Sequence, residues 1–232
     1  MGIFDFLASH LMLPFLNFSY HHLYPNYGIA IILLTLAIKL AFFPLSKKQF
    51  EAMKISQKIQ PEIKRIQDEL KDQPEKMQAE ILRVWRENKA NPLGGCLPIL
   101  IQLPFFFGIY RTINGDAFKA ILATPGIKAG MFPFWLTNLA HPDPWFILPV
   151  VIAVSTFLSQ RMMTMDPTQK AVFMFMPVIM GFISLKMPAG VLIYWAAQQI
   201  FSNIQQYIML KPTNGSDGDA ITVTVTTAKR ID

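Results

Sequence analysis

Between residues 28 and 45 there is one charged side chain, Lys39, in eighteen positions, and runs of this kind recur four more times along the chain. Such runs approach the ~20 residues that an α-helix needs to cross the hydrocarbon of a bilayer. Their apolar residues are clustered rather than periodic. The whole composition agrees, with 52% hydrophobic and 16% charged residues, where a soluble domain carries roughly 25% charged residues. The 232 residues therefore read as an all-α, polytopic membrane protein rather than as one soluble domain.

Five spans are expected, at residues 28–45, 96–113, 145–160, 171–187 and 190–210. Pro44 closes the first. Asn91-Pro92-Leu93-Gly94-Gly95 is a turn signal that opens the second, and Met187-Pro188-Ala189-Gly190 forms a tight turn before the fifth. Residues 46–95 hold eleven Lys and Arg, and the short loop 161–170 holds Arg161 and Lys170. Residues 1–27 hold none, and the loop 114–144 holds Lys119 and Lys128. The positive-inside rule then predicts an outer amino terminus and a cytoplasmic carboxyl terminus, in a bacterial plasma (inner) membrane. Trp135 and Trp145 on the outer loop suit an aromatic belt or core packing equally well. No cleavable signal is evident, because the first 25 residues lack a basic start. Residues 1–27 read as an extracytoplasmic amphipathic helix lying in the interface, with a buried helix as the alternative.

The net charge is +6, and the basic residues concentrate in residues 46–91, where eight acidic residues are interleaved with them. That is a solvated helical surface rather than a phosphate-binding stripe, so sequence-specific nucleic acid contact is not expected. Within this segment Ile55, Ile59, Ile63, Ile66 and Leu70 follow steps of 4, 4, 3 and 4. Residues 71–75 break the run, since Pro74 cannot continue a helix interior. Met77, Ile81, Val84 and Trp85 then resume helical spacing. Two matched stripes joined by a short turn predict an antiparallel cytoplasmic hairpin rather than a spacer. Residues 211–232 turn to Thr, Asp, Gly and Ser and are expected to be disordered. The single Cys96 cannot form an intrachain disulfide and reads as a small apolar residue at the start of a span.

Lys39 is the most informative position, because a charge at the centre of a span costs about 2.5–3.5 kcal/mol on insertion scales. Snorkelling toward the cytoplasmic interface is one account of it. Thr35, four residues earlier on the same face, instead extends the polar surface deeper. In the fifth span Trp195, Gln199, Ser202 and Gln206 are spaced by 4, 3 and 4, and Gln198, Asn203 and Gln205 widen the stripe. Such amides are either helix–helix glue or, with Gln102 and Gln160, the walls of a hydrated cavity whose only charge is Lys39. Seven of the thirteen methionines fall between Met162 and Met187, a surface able to re-pack around varied partners or simply span packing.

The run Thr35-Leu36-Ala37-Ile38-Lys39 with Phe43-Pro44-Leu45, then Asn91-Pro92-Leu93-Gly94-Gly95-Cys96-Leu97-Pro98 and Gln102-Leu103-Pro104, resembles the YidC (YidC/Oxa/Alb) family of membrane protein insertases. Asp166-Pro167, Phe175-Met176-Pro177 and Pro188-Ala189-Gly190-Val191-Leu192-Ile193-Tyr194-Trp195 match in order and spacing, over about residues 1–210. The resemblance implies the five-span core without the large periplasmic domain of many members. It also implies a hydrophilic groove open to lipid and cytoplasm, with Thr35, Gln160 and Trp195 lining it or meeting substrate. The candidate groove residues are thus Lys39, Thr35, Gln102, Gln160, Tyr194, Trp195, Gln199 and Ser202.

The expected function is a membrane protein insertase and chaperone, acting alone or with the Sec translocon and requiring no cofactor. Its partners would be nascent membrane proteins and the bilayer. The Sec translocon, ribosome and signal recognition particle machinery would be met through the hairpin. Two departures stand out. Family members usually carry Arg where this chain has Lys39, which keeps the charge but not bidentate pairing. The tail balances Lys211, Lys229 and Arg230 with Asp217, Asp219 and Asp232, where the family's tail is often strongly basic. A small-solute transporter or channel is the competing reading, although no internal repeat supports it. An enzyme is disfavoured, since His10, His21, His22 and His141 all fall outside the membrane and no HExxH or GxSxG occurs.

Overall fold

The computed structural model describes residues 2–88, 97–124, 126–127, 135–162 and 167–210. The Asn-Pro-Leu-Gly-Gly-Cys turn, Lys128, Asp166 and the tail at 211–232 lie outside the described residues. Helices α1 (Ile3–Phe6) and α2 (Leu13–His22) flank a π-helical stretch at Leu7–Met12. They are followed by α3 (Tyr27–Ala41), α4 (Phe43–Glu69), α5 (Pro74–Glu87), α6 (Leu97–Asn114), α7 (Asp116–Ala123), α8 (Ile147–Met162), α9 (Pro167–Ser184) and α10 (Ala189–Leu210). No strand occurs among the described residues, so the all-α expectation holds.

The amino-terminal segment is one helical rod with a widened middle. Pro14 in the first turn of α2 has no N–H and its ring would press on the carbonyl four residues earlier. The rod widens just before it, and the Leu13 N–H reaches back to the Ala8 carbonyl. Met12 and Leu16 are wholly buried against the bundle, while Ile3, Phe6 and Phe18 stay more than half exposed. Asn26 caps α3 by accepting from the Ile29 N–H at 3.1 Å. The Tyr27 hydroxyl donates to Asn17 Oδ1 at 2.9 Å and fixes the rod to that start.

The first apolar run does not end at Pro44. The α3 helix stops at Ala41, Phe42 leaves helical geometry, and the chain bends by 66° into α4. Pro44 then sits in the first turn of α4, where a missing N–H costs nothing. Pro74 likewise opens α5, whereas α4, α6 and α9 continue through Pro61, Pro104 and Pro177. Helices α4 and α5 pack as a hairpin. Ile59, Ile63, Ile66 and Val84 form its own small core, with Leu70, Met77, Ile81 and Trp85 against it.

Helix α10 is the hub, packing on α8, α3 and α6, while α9 packs on α8. Its amino-terminal end is fixed by a loop. The Ala189 and Gly190 N–H groups, which the helix itself leaves free, donate to the carbonyls of His141 (2.7 Å) and Leu139 (2.9 Å). Buried Asp143 organises the same loop, accepting from Trp135 Nε1, the Trp145 N–H and the Leu148 N–H at 3.0, 3.0 and 2.7 Å. Trp135 is therefore part of the packed core, whereas Trp145 is 62% exposed.

Among the described residues no single helix is both long and apolar enough to cross a membrane by length and composition; the bent pair α3 and α4 is, taken together. The reason is local. At 22 residues α10 is long but carries six Gln, Asn and Ser side chains, and α8 has only 16 residues.

Candidate functional site

A cavity of about 80 Å³ opens where α3, α6 and α10 meet the start of α4. A single water needs roughly 10–15 Å³ of such space, so it holds several. Ile38, Lys39 and Phe42 contribute from α3, and Ile101, Gln102 and Phe105 from α6. Gln198 and Ser202 form the back wall on α10, and Leu45, Ser46 and Gln49 form the floor on α4. Helices α3 and α6 lean on α10 far more than on each other, and the Phe42 and Phe105 rings meet edge-on between them, centroids 5.2 Å apart. The helices that line the cavity also carry exposed apolar side chains, Leu36 and Leu40 on α3, Phe43 on α4, and Leu103 and Phe107 on α6.

Among the described residues Lys39 is the only charged one lining the cavity. Its Nζ donates to Ser202 Oγ at 2.7 Å, so the side chain reaches across to α10 rather than snorkelling along α3. An ammonium has three donors, and no carboxylate among the described residues lies within ion-pair distance. Beside it, Gln198 Nε2 donates to Gln102 Oε1 at 2.6 Å, and Gln102 Nε2 donates to the Tyr194 hydroxyl. Tyr194, Gln198 and Ser202 follow the i, i+4 spacing of one helix face, which aims them all at the same side. Tyr194 itself is buried behind the wall, at 1% exposure.

The other expected residues part company from this cluster. Gln199 faces α8, donating to Thr156 Oγ1 at 3.3 Å. It is joined there by Asn203, which donates to the Ser155 carbonyl at 2.8 Å, and by Gln206, which accepts from Ser159 at 3.1 Å. The stripe Trp195–Gln199–Ser202–Gln206 is thus divided between two neighbours: Gln199 and Gln206 hold α8, and of the four only Ser202 reaches the cavity. Trp195 packs edge-on against Phe106, centroids 5.6 Å apart. Thr35 is fully buried, and its hydroxyl donates to the Ile31 carbonyl of its own helix at 2.7 Å, so it does not deepen the polar surface. Gln160 is half-buried on α8 and does not line the cavity. Ser46 and Gln49 escaped the sequence reading because they follow a proline taken as the end of a span. Their signal was the apolar helix running directly into an amphipathic one.

Residues 18–216 match the family model of the 60Kd inner membrane protein. The chain is 39% identical over 217 residues to the membrane protein insertase YidC of Nitratidesulfovibrio vulgaris (strain DP4), covering 91% of this chain and 40% of that protein. It is also 39% identical over 207 residues to that of Syntrophus aciditrophicus (strain SB), covering 88% and 36%. It thus spans about two fifths of the length of the curated relatives it matches. A solved structure, "Active YidC insertase crystal structure with the first transmembrane domain resolved", is similar with a TM-score of 0.67 and 25% identity, over 92% of this chain and 48% of that one.

Proposed function

Because the chain belongs to the 60Kd inner membrane protein family, we propose that it is a membrane protein insertase using the cavity around Lys39 as a side-open hydrophilic groove. The observation that carries this reading is an ammonium group held by Ser202 in a cavity that Gln102 and Gln198 also line, on helices that carry exposed apolar residues. A polar segment entering hydrocarbon loses several kcal/mol for each unpaired backbone group. In the groove it meets water and amide donors and acceptors instead. Lys39 attracts an acidic side chain of that segment through charge-assisted hydrogen bonds. The adjoining apolar span of the substrate slides along α3, α6 and α10 into lipid, where burial is favourable.

The five apolar helices α3, α6, α8, α9 and α10 act as spans, with the N-terminal rod outside and the α4–α5 hairpin and the carboxyl terminus in the cytoplasm. The basic content of residues 46–95 supports this orientation. Docking of the Sec translocon, the ribosome or signal recognition particle machinery falls to the hairpin's charged outer surface, since Ile59, Ile63, Ile66 and Ile81 are committed to internal packing. The activity is one of transfer, not of bond chemistry.

The test is insertion of a single-span substrate with an acidic translocated end into liposomes containing the purified protein. Lys39→Ala is expected to lower insertion about tenfold, the scale of one hydrogen bond to a charged group, and Lys39→Arg to retain it. Normal insertion by Lys39→Ala removes Lys39 from the mechanism.

A further inference from the structure

A second groove, sharing no residue with the Lys39 cavity, lies at the end of the bundle where the hairpin is tied to α8 by a hydrogen bond from Gln57 Nε2 to the Met162 carbonyl (3.2 Å). It has a volume of about 390 Å³ between Leu158, Arg161 and Met162 of α8 and Asn203, Ile204 and Tyr207 of α10. Leu158, Ile204 and Tyr207 are each more than half exposed, and the surface continues into exposed Val154, Phe157, Ile200 and Ile208. In a family of inner membrane proteins such a face meets lipid.

Arg161 gives the groove its chemistry. Its guanidinium lies 4.6 Å from the centroid of the Phe157 ring, a cation–π contact that sets the charge beside the apolar face although the residue is exposed. Among the described residues no carboxylate is within ion-pair distance of it. A guanidinium presents a planar fork of donors matched to phosphate oxygens. We propose that this groove binds one anionic phospholipid, an acyl chain lying against Leu158 and Ile204 and the phosphate on Arg161 within reach of the Tyr207 hydroxyl. A zwitterionic headgroup fits less well, because among the described residues no acidic side chain lines the groove to meet its ammonium.

Native mass spectrometry of the full chain in detergent, titrated with phosphatidylglycerol and with phosphatidylcholine of the same acyl chains, tests this. Wild type is expected to retain phosphatidylglycerol roughly fivefold to tenfold more tightly. Arg161→Gln is expected to bind the two lipids alike, and Ile204→Trp, which fills the slot, to weaken both. Equal retention of the two lipids by wild type, or an unchanged preference in Arg161→Gln, overturns the headgroup assignment; unchanged affinity in Ile204→Trp overturns the acyl slot. Insertion is not the readout, so the lipid site stands or falls apart from the insertase reading.

Discussion

Helix α10 carries two polar edges made of the same residue types, and they are put to different uses. On one edge Tyr194, Gln198 and Ser202 meet Gln102 and Lys39 around a cavity. On the other Gln199, Asn203 and Gln206 meet Thr156, Ser155 and Ser159 of α8 along a close helix–helix contact. Both edges leave amide atoms without a partner among the described residues: Gln198 Oε1 on the first, Asn203 Oδ1 and Gln206 Nε2 on the second. Composition therefore does not separate a site from a seam. What separates them is the neighbour: on one side α8, which packs on α10 more extensively than any other helix does, and on the other α3 and α6, which meet α10 around the cavity that holds Lys39.

If that distinction is right, the two edges respond to substitution in opposite ways. After the loss of Lys39, the largest expected effect on insertion is that of Gln198→Leu. It removes the rung that pairs with Gln102, and insertion in the liposome assay should fall about fivefold, somewhat less than one charged hydrogen bond is worth. Its stability should change little, because Gln102 Oε1, left without Gln198, lies at the cavity, where water can take the place of the lost donor. Asn203→Leu should do the reverse. It should cost about 0.6 kcal/mol in denaturant unfolding, the typical worth of an interhelical hydrogen bond in a membrane protein, with insertion unaltered. A Gln198→Leu protein that loses stability but inserts normally would exchange the roles of the two edges.

The elements themselves were legible from local pattern. The isoleucines of α4 and the Met77–Trp85 stripe of α5 announce a hairpin through spacing alone, and its small core is built from those residues. Lys39 announced itself as a charge in an apolar run. The division of α10 was not legible. At about 100° per residue, Tyr194, Gln198 and Ser202 occupy an arc of roughly 80°, and Gln206, Gln199 and Asn203 the adjoining roughly 60°. Spacing merges the two arcs into one stripe. Only the positions of α3, α6 and α8 around the hub divide it, and those depend on packing between distant segments. The bend at Phe42 was hidden for a related reason: Pro44 is equally compatible with the end of one helix and the first turn of another.

Thr35 offers the smallest effect and the sharpest check on the cavity edge. By sequence it lies one turn from Lys39 and extends the polar surface; in the fold its hydroxyl is occupied by the Ile31 carbonyl, and the residue has no exposed surface. A hydroxyl bonded back to its own helix adds little to stability, because that carbonyl already takes part in the helix ladder. Thr35→Val keeps the β-branched shape and removes only the hydroxyl. Insertion should therefore stay within about twofold of wild type and stability within about 0.5 kcal/mol, the scale of a substitution away from any special feature. A Thr35→Val protein that folds normally yet inserts several-fold more slowly would mean that the hydroxyl turns toward the substrate during transfer, and that the groove reaches one helical turn deeper than the cavity around Lys39.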